Sequence, residues 1–157
     1  MSNYLSAEAP ALLDRTELGA WRGLLRVHSH MTKALDAQLI AEHGISLSSY
    51  EVLLFLADAP DGRLRMSELA DGVLLSRSGL TRLVDRMERD GLLRRERCED
   101  DARGFNALIT AEGRDLFRSA RRTHLDGVRE LFLSRLSADE LRTLARLWEK
   151  VAPGASG

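Results

Sequence analysis

The chain has 157 residues, 44% of them apolar and 30% charged, as expected of one globular domain with a single core. It has no apolar run long enough to span a bilayer, and its N-terminal segment lacks a cationic stretch followed by an apolar core, so we expect a cytoplasmic protein. The formal net charge is −1, so a nucleic-acid partner has to be argued from the local placement of the basic residues.

The first half of the chain predicts three helices. Apolar residues at three- and four-residue steps indicate a long amphipathic helix over about 14–42. The stretch SSYEVLLFLADAP (48–60) predicts a second helix, in which Ser48 and Glu51 have the spacing of a capping box. The stretch MSELADGV (66–73) fits a short third helix.

The middle of the chain predicts a fourth helix followed by a β-hairpin. Four apolar residues share one helical face over about 77–90, and a glycine follows them. The period then changes, because LLRRERC (92–98) and FNALIT (105–110) have strand-like character. The turn-rich EDDARG (99–104) joins these two segments and completes the predicted hairpin.

Two more helices are predicted after the hairpin. One extends over about 111–136, and Ser137 and Glu140 have the spacing of a capping box at the start of the last. We therefore expect a mainly α fold with a small β-hairpin wing. No internal repeat or low-complexity linker divides the chain.

The central elements predict a winged helix-turn-helix, whose second helix lies in the major groove of DNA. The fourth helix has an outer face of arginines and short hydroxyls, groups that contact base edges and phosphates. Any one of these arginines could equally be a solvated charge, but their coincidence with the hairpin favours DNA binding. The DNA-binding residues predicted on the fourth helix and the hairpin are Ser76, Arg77, Ser78, Thr81, Arg82, Arg86 and Arg95.

Three motifs carry a resemblance to a known family: SELA (67–70), SRSGLTRLVDRMERDGL (76–92), and Asp101-Ala102-Arg103-Gly104 followed by LITAEG. With the flanking helices, the chain resembles the MarR family of bacterial regulators. The resemblance implies a homodimer whose first, fifth and sixth helices interlock. It also implies that Arg103 reaches toward the minor groove while Asp101 steadies the wing. Many relatives have glycine where this chain has Leu74.

We accordingly expect one MarR-type domain with a DNA-binding lobe and a dimerisation region. Its predicted parts are a flexible tail at 1–11, dimerisation helices at about 12–43 and 111–151, the winged lobe at about 46–110, and a tail at 152–157. The terminal helices offer more apolar surface than one winged helix needs to cover, which favours an interface over simple core packing. The predicted interface residues are Leu131, Phe132, Leu136, Leu144, Leu147 and Trp148.

The resemblance also implies a small aromatic effector, held between the first two helices and the DNA-binding lobe. The candidate residues are Trp21, His28, Tyr50 and Glu51, with Arg82 beside them. Simpler roles compete: Trp21 and His28 lie on an apolar stripe, Glu51 fits a capping box, and Arg82 could contact phosphate.

Other chemistry has weaker support. Cys98, the single cysteine, lies beside Arg97, but the following Glu99 and Asp100 disfavour the thiolate that a redox sensor needs. We expect no cofactor and no metal site, because the histidines lack the spacing of ligands. An enzyme is disfavoured, since no phosphate-binding glycine loop, nucleophile elbow or zinc signature is present.

The sequence thus predicts a DNA-binding transcriptional regulator, with ligand-responsive repression at a pseudo-palindromic operator as the expected mode. The alternative is a winged helix that contacts only other proteins. Such a module would need no arginines on the exposed face of its recognition helix.

Overall fold

The structure is a computed structural model that describes residues 12–73, 75–98 and 104–154. In chain order, the described residues form α1 (Arg15–His43), α2 (Leu47–Asp58), β1 (Arg63–Arg65), α3 (Met66–Gly72), α4 (Arg77–Arg89), β2 (Leu93–Arg97), β3 (Phe105–Ile109), α5 (Ala111–Leu131) and α6 (Ala138–Val151). The predicted N-terminal tail, Leu74, and the hairpin tip with Asp101 and Arg103 lie outside the described residues.

The ends of α1 agree with the predicted range to within one residue. The carboxylate of Asp14 accepts hydrogen bonds from the backbone N–H groups of Thr16 at 2.6 Å and Glu17 at 2.8 Å. Glu17 accepts the N–H of Asp14 at 2.8 Å in return, which completes a capping box. Gly44, with a φ of 69°, closes the helix in the left-handed conformation that glycine adopts readily.

The start of α2 differs from the prediction. Ser46 is the N-cap, and its hydroxyl accepts a backbone N–H at 3.1 Å, so the capping box predicted for Ser48 and Glu51 is wrong. A carboxylate oxygen of Asp36 in α1 also accepts the N–H of Leu47 at 2.8 Å. This contact satisfies the first amide of α2 from a neighbouring helix, which no local motif reveals.

The predicted hairpin forms from β2 and β3, and it gains a third strand that the sequence did not indicate. All pairing is antiparallel, and the strand order is β1–β3–β2. Arg95 of β2 and Leu64 of β1 both lie opposite Ala107 of β3. β1 has three residues, two of them arginines, which is too short for an alternating pattern. β2 is consequently an edge strand.

The last two helices are joined by a short 3-10 turn. α5 ends at Leu131, before its predicted end at residue 136, because Phe132 leaves the helical conformation with φ −132° and ψ −63°. α6 begins as predicted. The hydroxyl of Ser137 accepts the N–H of Glu140 at 3.3 Å, and Glu140 accepts the N–H of Ser137 at 2.7 Å.

One apolar core joins α2, α3, α4 and the hairpin to α1 and the first part of α5. Its largest fully buried side chains are Leu39, Val52, Leu53, Leu56, Leu69, Leu80, Val84, Met87 and Leu93. α1 and α5 pack closely at Gly127, where an added Cβ would lie 2.3 Å from the side-chain oxygen of Gln38. The prediction of a mainly α fold with a small β-hairpin wing is confirmed.

Candidate nucleic-acid interface

α4 is the predicted recognition helix, and it has the two faces that this role requires. The hydroxyl of Ser76 caps it by accepting the N–H of Gly79 at 3.1 Å. The inner face is buried and consists of Leu80, Leu83, Val84 and Met87. The outer face exposes the predicted DNA-binding residues Arg77, Ser78, Thr81, Arg82 and Arg86.

The arginines on the outer face of α4 have no acidic partner in the part of the chain that the structure describes. Arg77, Arg82 and Arg86 form no ion pair there. The hydroxyl of Thr81 donates to the carbonyl of Arg77 at 3.0 Å and keeps its capacity to accept a hydrogen bond. Free guanidinium groups on an exposed helix face suit phosphates and guanine edges.

Arg95, also predicted to bind DNA, has a different environment. Its guanidinium lies 2.7 Å from a carboxylate oxygen of Asp85 and 2.7 Å from one of Glu88, both on α4. The backbone N–H and the guanidinium of Arg95 lower the pKa of Glu88 by hydrogen bonding to its carboxylate. Sequence reasoning missed Glu88, although an acid three residues after Asp85 on one helix face is a signal for a shared cation.

A groove of about 500 Å³ separates the wing from the helix-turn-helix. It is lined by Arg65, Met66, Ser67, Thr81, Arg95, Cys98, Gly104 and Phe105. Arg65 was not predicted as a site residue, yet its side chain is exposed at this groove beside Thr81. The thiol of Cys98 is buried and donates to the side-chain oxygen of Asn106 at 3.3 Å.

The candidate effector residues fall into two groups. Tyr50 is only 3% exposed, and its ring stacks on the rings of Phe117 and His124 with centroids 5.6 Å and 4.5 Å away. Glu51, next in α2, is half-buried, and burial raises the pKa of its carboxyl. Trp21 and His28 instead lie on the N-terminal half of α1, where every side chain over 21–30 is exposed.

The predicted interface residues lie on two apolar surfaces. Every residue of α6 is at least partly exposed, with Leu147 at 50% and Trp148 at 36%, and Leu144 lies half-buried on the same face. Leu131, Phe132 and Leu136 line a second surface, a groove of about 550 Å³ against α1. Such exposed apolar area is typical of a surface that another protein chain covers.

The described ranges contain neither a cluster of metal ligands nor a single helix that could span a membrane. No group of three or more histidine, cysteine, aspartate or glutamate side chains is arranged there to hold a metal ion. No single described helix has both the length and the apolar composition needed to cross a membrane. Among the described helices, only the pair α1 and α2, taken together across a bend of 81°, meets both criteria.

Comparison with known proteins identifies the family. The family model that matches is that of the MarR family, over residues 43–104. A solved structure extends the likeness to nearly the whole chain: AbsC, a MarR family transcriptional regulator from Streptomyces coelicolor, is 34% identical and covers 90% of this chain and 95% of its own, with a TM-score of 0.84. The chain belongs to the MarR family.

Further MarR-family relatives bear on what such a chain does. Sco3205 from Streptomyces coelicolor, solved in complex with DNA, is 35% identical with a TM-score of 0.86, covering 92% of this chain and 91% of its own. The HTH-type transcriptional repressor YetL from Bacillus subtilis (strain 168) is 30% identical over 108 residues, which are 69% of this chain and 64% of YetL. The chain thus spans slightly less than two thirds of that repressor. The resemblance found in the motifs is confirmed, and these relatives are transcriptional regulators.

Proposed function

We propose that this MarR-family chain is a sequence-specific DNA-binding repressor that acts in the cytoplasm as a homodimer. One observation carries the proposal: the outer face of α4 presents Arg77, Arg82 and Arg86 without partners among the described residues, beside two hydroxyls and the wing. The DNA complex of the similar Sco3205 and the repressor name of YetL support it.

The same proposal includes a pseudo-palindromic operator. A two-fold dimer presents one α4 from each protomer, so the half-site centres lie about 34–36 Å apart, or one helical turn. The apolar face of α6 supports a dimer, because the described chain covers Leu144, Leu147 and Trp148 only in part. The family motif further implies that Arg103 contacts DNA and that Asp101 supports it.

A gel-shift series on duplexes selected by the wild-type chain from a randomised pool tests the proposal. Arg77→Ala or Arg82→Ala relaxes the preference at one operator position by about 1–3 kcal/mol where the side chain reads a guanine. A uniform loss over all sequences assigns the residue to phosphate instead. Arg129→Ala is the matched control, since this exposed arginine lies at the end of α5 remote from the wing and pairs with Asp126 at 2.8 Å. Failure to select any duplex overturns the proposal.

The proposal extends to a small aromatic effector that releases the DNA. Glu51 supports this extension, because it places a half-buried carboxyl on α2, whereas the ring of Tyr50 beside it is already buried against Phe117 and His124. The probe is 4-hydroxybenzoate, titrated calorimetrically against the wild type, Glu51→Gln and Arg82→Ala. Loss of the heat signal in Glu51→Gln supports a site on α2. Retained ligand binding with lost DNA binding in Arg82→Ala assigns Arg82 to DNA, and no heat with the wild type counts against this effector.

A further inference from the structure

Arg95 links two consecutive elements, the recognition helix α4 and the edge strand β2 that follows it. One guanidinium nitrogen lies 2.7 Å from a carboxylate oxygen of Asp85, and a second lies 2.7 Å from an oxygen of Glu88. The Nε–H donates to that same Glu88 oxygen at 2.9 Å. Since Asp85 and Glu88 are three residues apart on α4, their carboxylates lie on one face and share one planar cation.

Glu88 makes a second connection to β2 through the main chain. Its other oxygen, Oε1, accepts the backbone N–H of Arg95 at 2.8 Å. β2 is an edge strand, so this amide points away from β3 and would otherwise have no partner within the sheet. Both oxygens of Glu88 are therefore used to attach α4 to the wing.

The geometry leaves Arg95 little freedom to act as a DNA contact. Its side chain is 31% exposed, against 63% for its neighbour Arg94, which faces the opposite side of the hairpin and pairs with Glu96 at 3.0 Å. Arg77 and Arg82 on α4 differ from Arg95, because neither has a partner among the described residues. Three of the five guanidinium N–H donors of Arg95 face Asp85 and Glu88, and these two carboxylates already compensate its positive charge.

We propose that Arg95 is a positioning residue: by joining Asp85 and Glu88 of α4 to β2, it fixes the angle between recognition helix and wing, so that both meet DNA as one rigid unit. This inference rests on the proposed DNA-binding function. It replaces the expectation that Arg95 itself touches DNA.

Arg95 can hold α4 and β2 at a fixed angle because several contacts with Asp85 and Glu88 act at one place. Three guanidinium–carboxylate contacts and one main-chain hydrogen bond act together, and networks of this kind couple more strongly than a single exposed ion pair. Without them, the wing is attached to the lobe through its sheet pairing and the core beneath it. The wing tip then samples more orientations before it meets DNA, and binding must order it.

The first test is a double-mutant cycle on the DNA duplex that the wild-type chain selects from a randomised pool. Arg95→Gln weakens binding about five- to tenfold in the wild-type background. In the Asp85→Asn/Glu88→Gln background it changes affinity by less than about twofold, because the partners through which Arg95 acts are already altered. Arg94→Gln is the matched control on the same strand and stays within about twofold of the wild type.

The salt dependence separates positioning from contact. A residue that contacts phosphate reduces the slope of log affinity against log salt by about one unit when it is removed. Arg95→Gln leaves this slope unchanged if the residue acts through α4. Arg95→Lys keeps the charge but cannot engage both carboxylates, so its DNA affinity is expected to fall as in Arg95→Gln. Near wild-type affinity of Arg95→Lys overturns the inference. So does a loss of about five- to tenfold from Arg95→Gln that persists in the Asp85→Asn/Glu88→Gln background, where the same loss would mean that Arg95 does not act through these partners.

A DNA-free measurement keeps this inference separate from the proposed function. Amide hydrogen exchange of the free protein is expected to be at least about tenfold faster in β2 for Arg95→Gln, while amides in the middle of α5 exchange as in the wild type. If the wild-type chain selects no DNA duplex, but Arg95→Gln still speeds amide exchange in β2, the link between α4 and β2 is supported while the proposed DNA-binding function is not. Unchanged exchange in β2 overturns the positioning role directly. Arg95→Lys serves for the same measurement if Arg95→Gln does not fold.

Discussion

The ring of Tyr50 in α2 stacks on the ring of His124 in α5, with centroids 4.5 Å apart and planes inclined by 25°. Tyr50 also stacks on Phe117, about two helical turns earlier in α5. The Nδ1 atom of His124 is buried and has no hydrogen-bond partner among the described residues, and burial lowers the pKa of its imidazole. A neutral histidine therefore belongs to the junction between the DNA-binding lobe and α5.

The lowered pKa of His124 predicts a loss of stability in mild acid. The unfolded chain binds a proton at His124 near pH 6.5, whereas the folded chain resists it, so stability is full above that pH and falls as the pH drops below it. His124→Phe keeps a ring in place and removes the titration. Its melting temperature is expected to fall less than that of the wild type between pH 7.5 and pH 5. Parallel curves for the two proteins would show that His124 is not the responsible group.

Glu51 gives a prediction with the opposite sign. Burial raises the pKa of its carboxyl, so the folded state opposes ionisation, and the charged form reduces stability above the unfolded pKa. Glu51→Gln is expected to raise the melting temperature at pH 7 and to lose this advantage as the pH falls toward 4. An equal gain at both pH values would assign the effect to packing instead of charge.

The sequence predicted the helices well and the partners of individual side chains poorly. Apolar spacing and the Ser137–Glu140 box act within one helix, and both were confirmed. The predicted capping box of α2 was wrong because Ser46, two residues before Ser48, is the N-cap, and the contact of Asp36 with the N–H of Leu47 comes from another helix. Arg95 was interpreted as a DNA contact because its acidic partners, although near in the chain, lie on α4 and meet its side chain only when β2 folds back against that helix.

Exposure shows a second limit of sequence patterns. Trp21 lies on the apolar stripe of α1, a pattern typical of core packing, yet it is 53% exposed. Tyr50 was predicted as a ligand contact and is buried between two other rings. Helical periodicity identifies an apolar face, but it does not say whether the chain itself or a second molecule covers that face.

Gly113, in the first turn of α5, packs against the backbone of Leu92, the residue just before β2. An added Cβ there would lie 2.0 Å from the carbonyl oxygen of Leu92, a backbone atom that cannot move aside alone. Gly113→Ala is therefore expected to reduce the free energy of unfolding by about 1–3 kcal/mol, measured by urea titration. Gly19→Ala is the matched control: open space surrounds Gly19 in the described chain, and alanine in a helix interior adds up to about 1 kcal/mol. Equal effects of the two substitutions would contradict the close contact.

The apolar face of α6 predicts which substitution separates the proposed dimer into monomers. Leu147 is half exposed in the single chain, so Leu147→Asp is expected to leave the fold intact and to yield a monomer in sedimentation at micromolar concentration. Arg146→Gln, on the polar side of α6, should leave the oligomeric state of the wild type unchanged. A wild-type chain that sediments as a monomer would refute the interface, and a Leu147→Asp dimer would place it elsewhere.

A single residue, Thr110, separates the last strand of the wing from α5. Its hydroxyl donates to the carbonyl of Gly91 at 2.6 Å and accepts the N–H of Gly113 at 3.0 Å. The connection between β3 and α5 is therefore short and held by hydrogen bonds on both sides. α5 therefore works as a lever rigidly attached to the wing. With 21 residues it is about 30 Å long, and a tilt of about 10° at its far end displaces the wing by about 5 Å. In the homodimer proposed above, a modest adjustment where α5 ends would therefore produce a larger change in the distance between the two winged lobes.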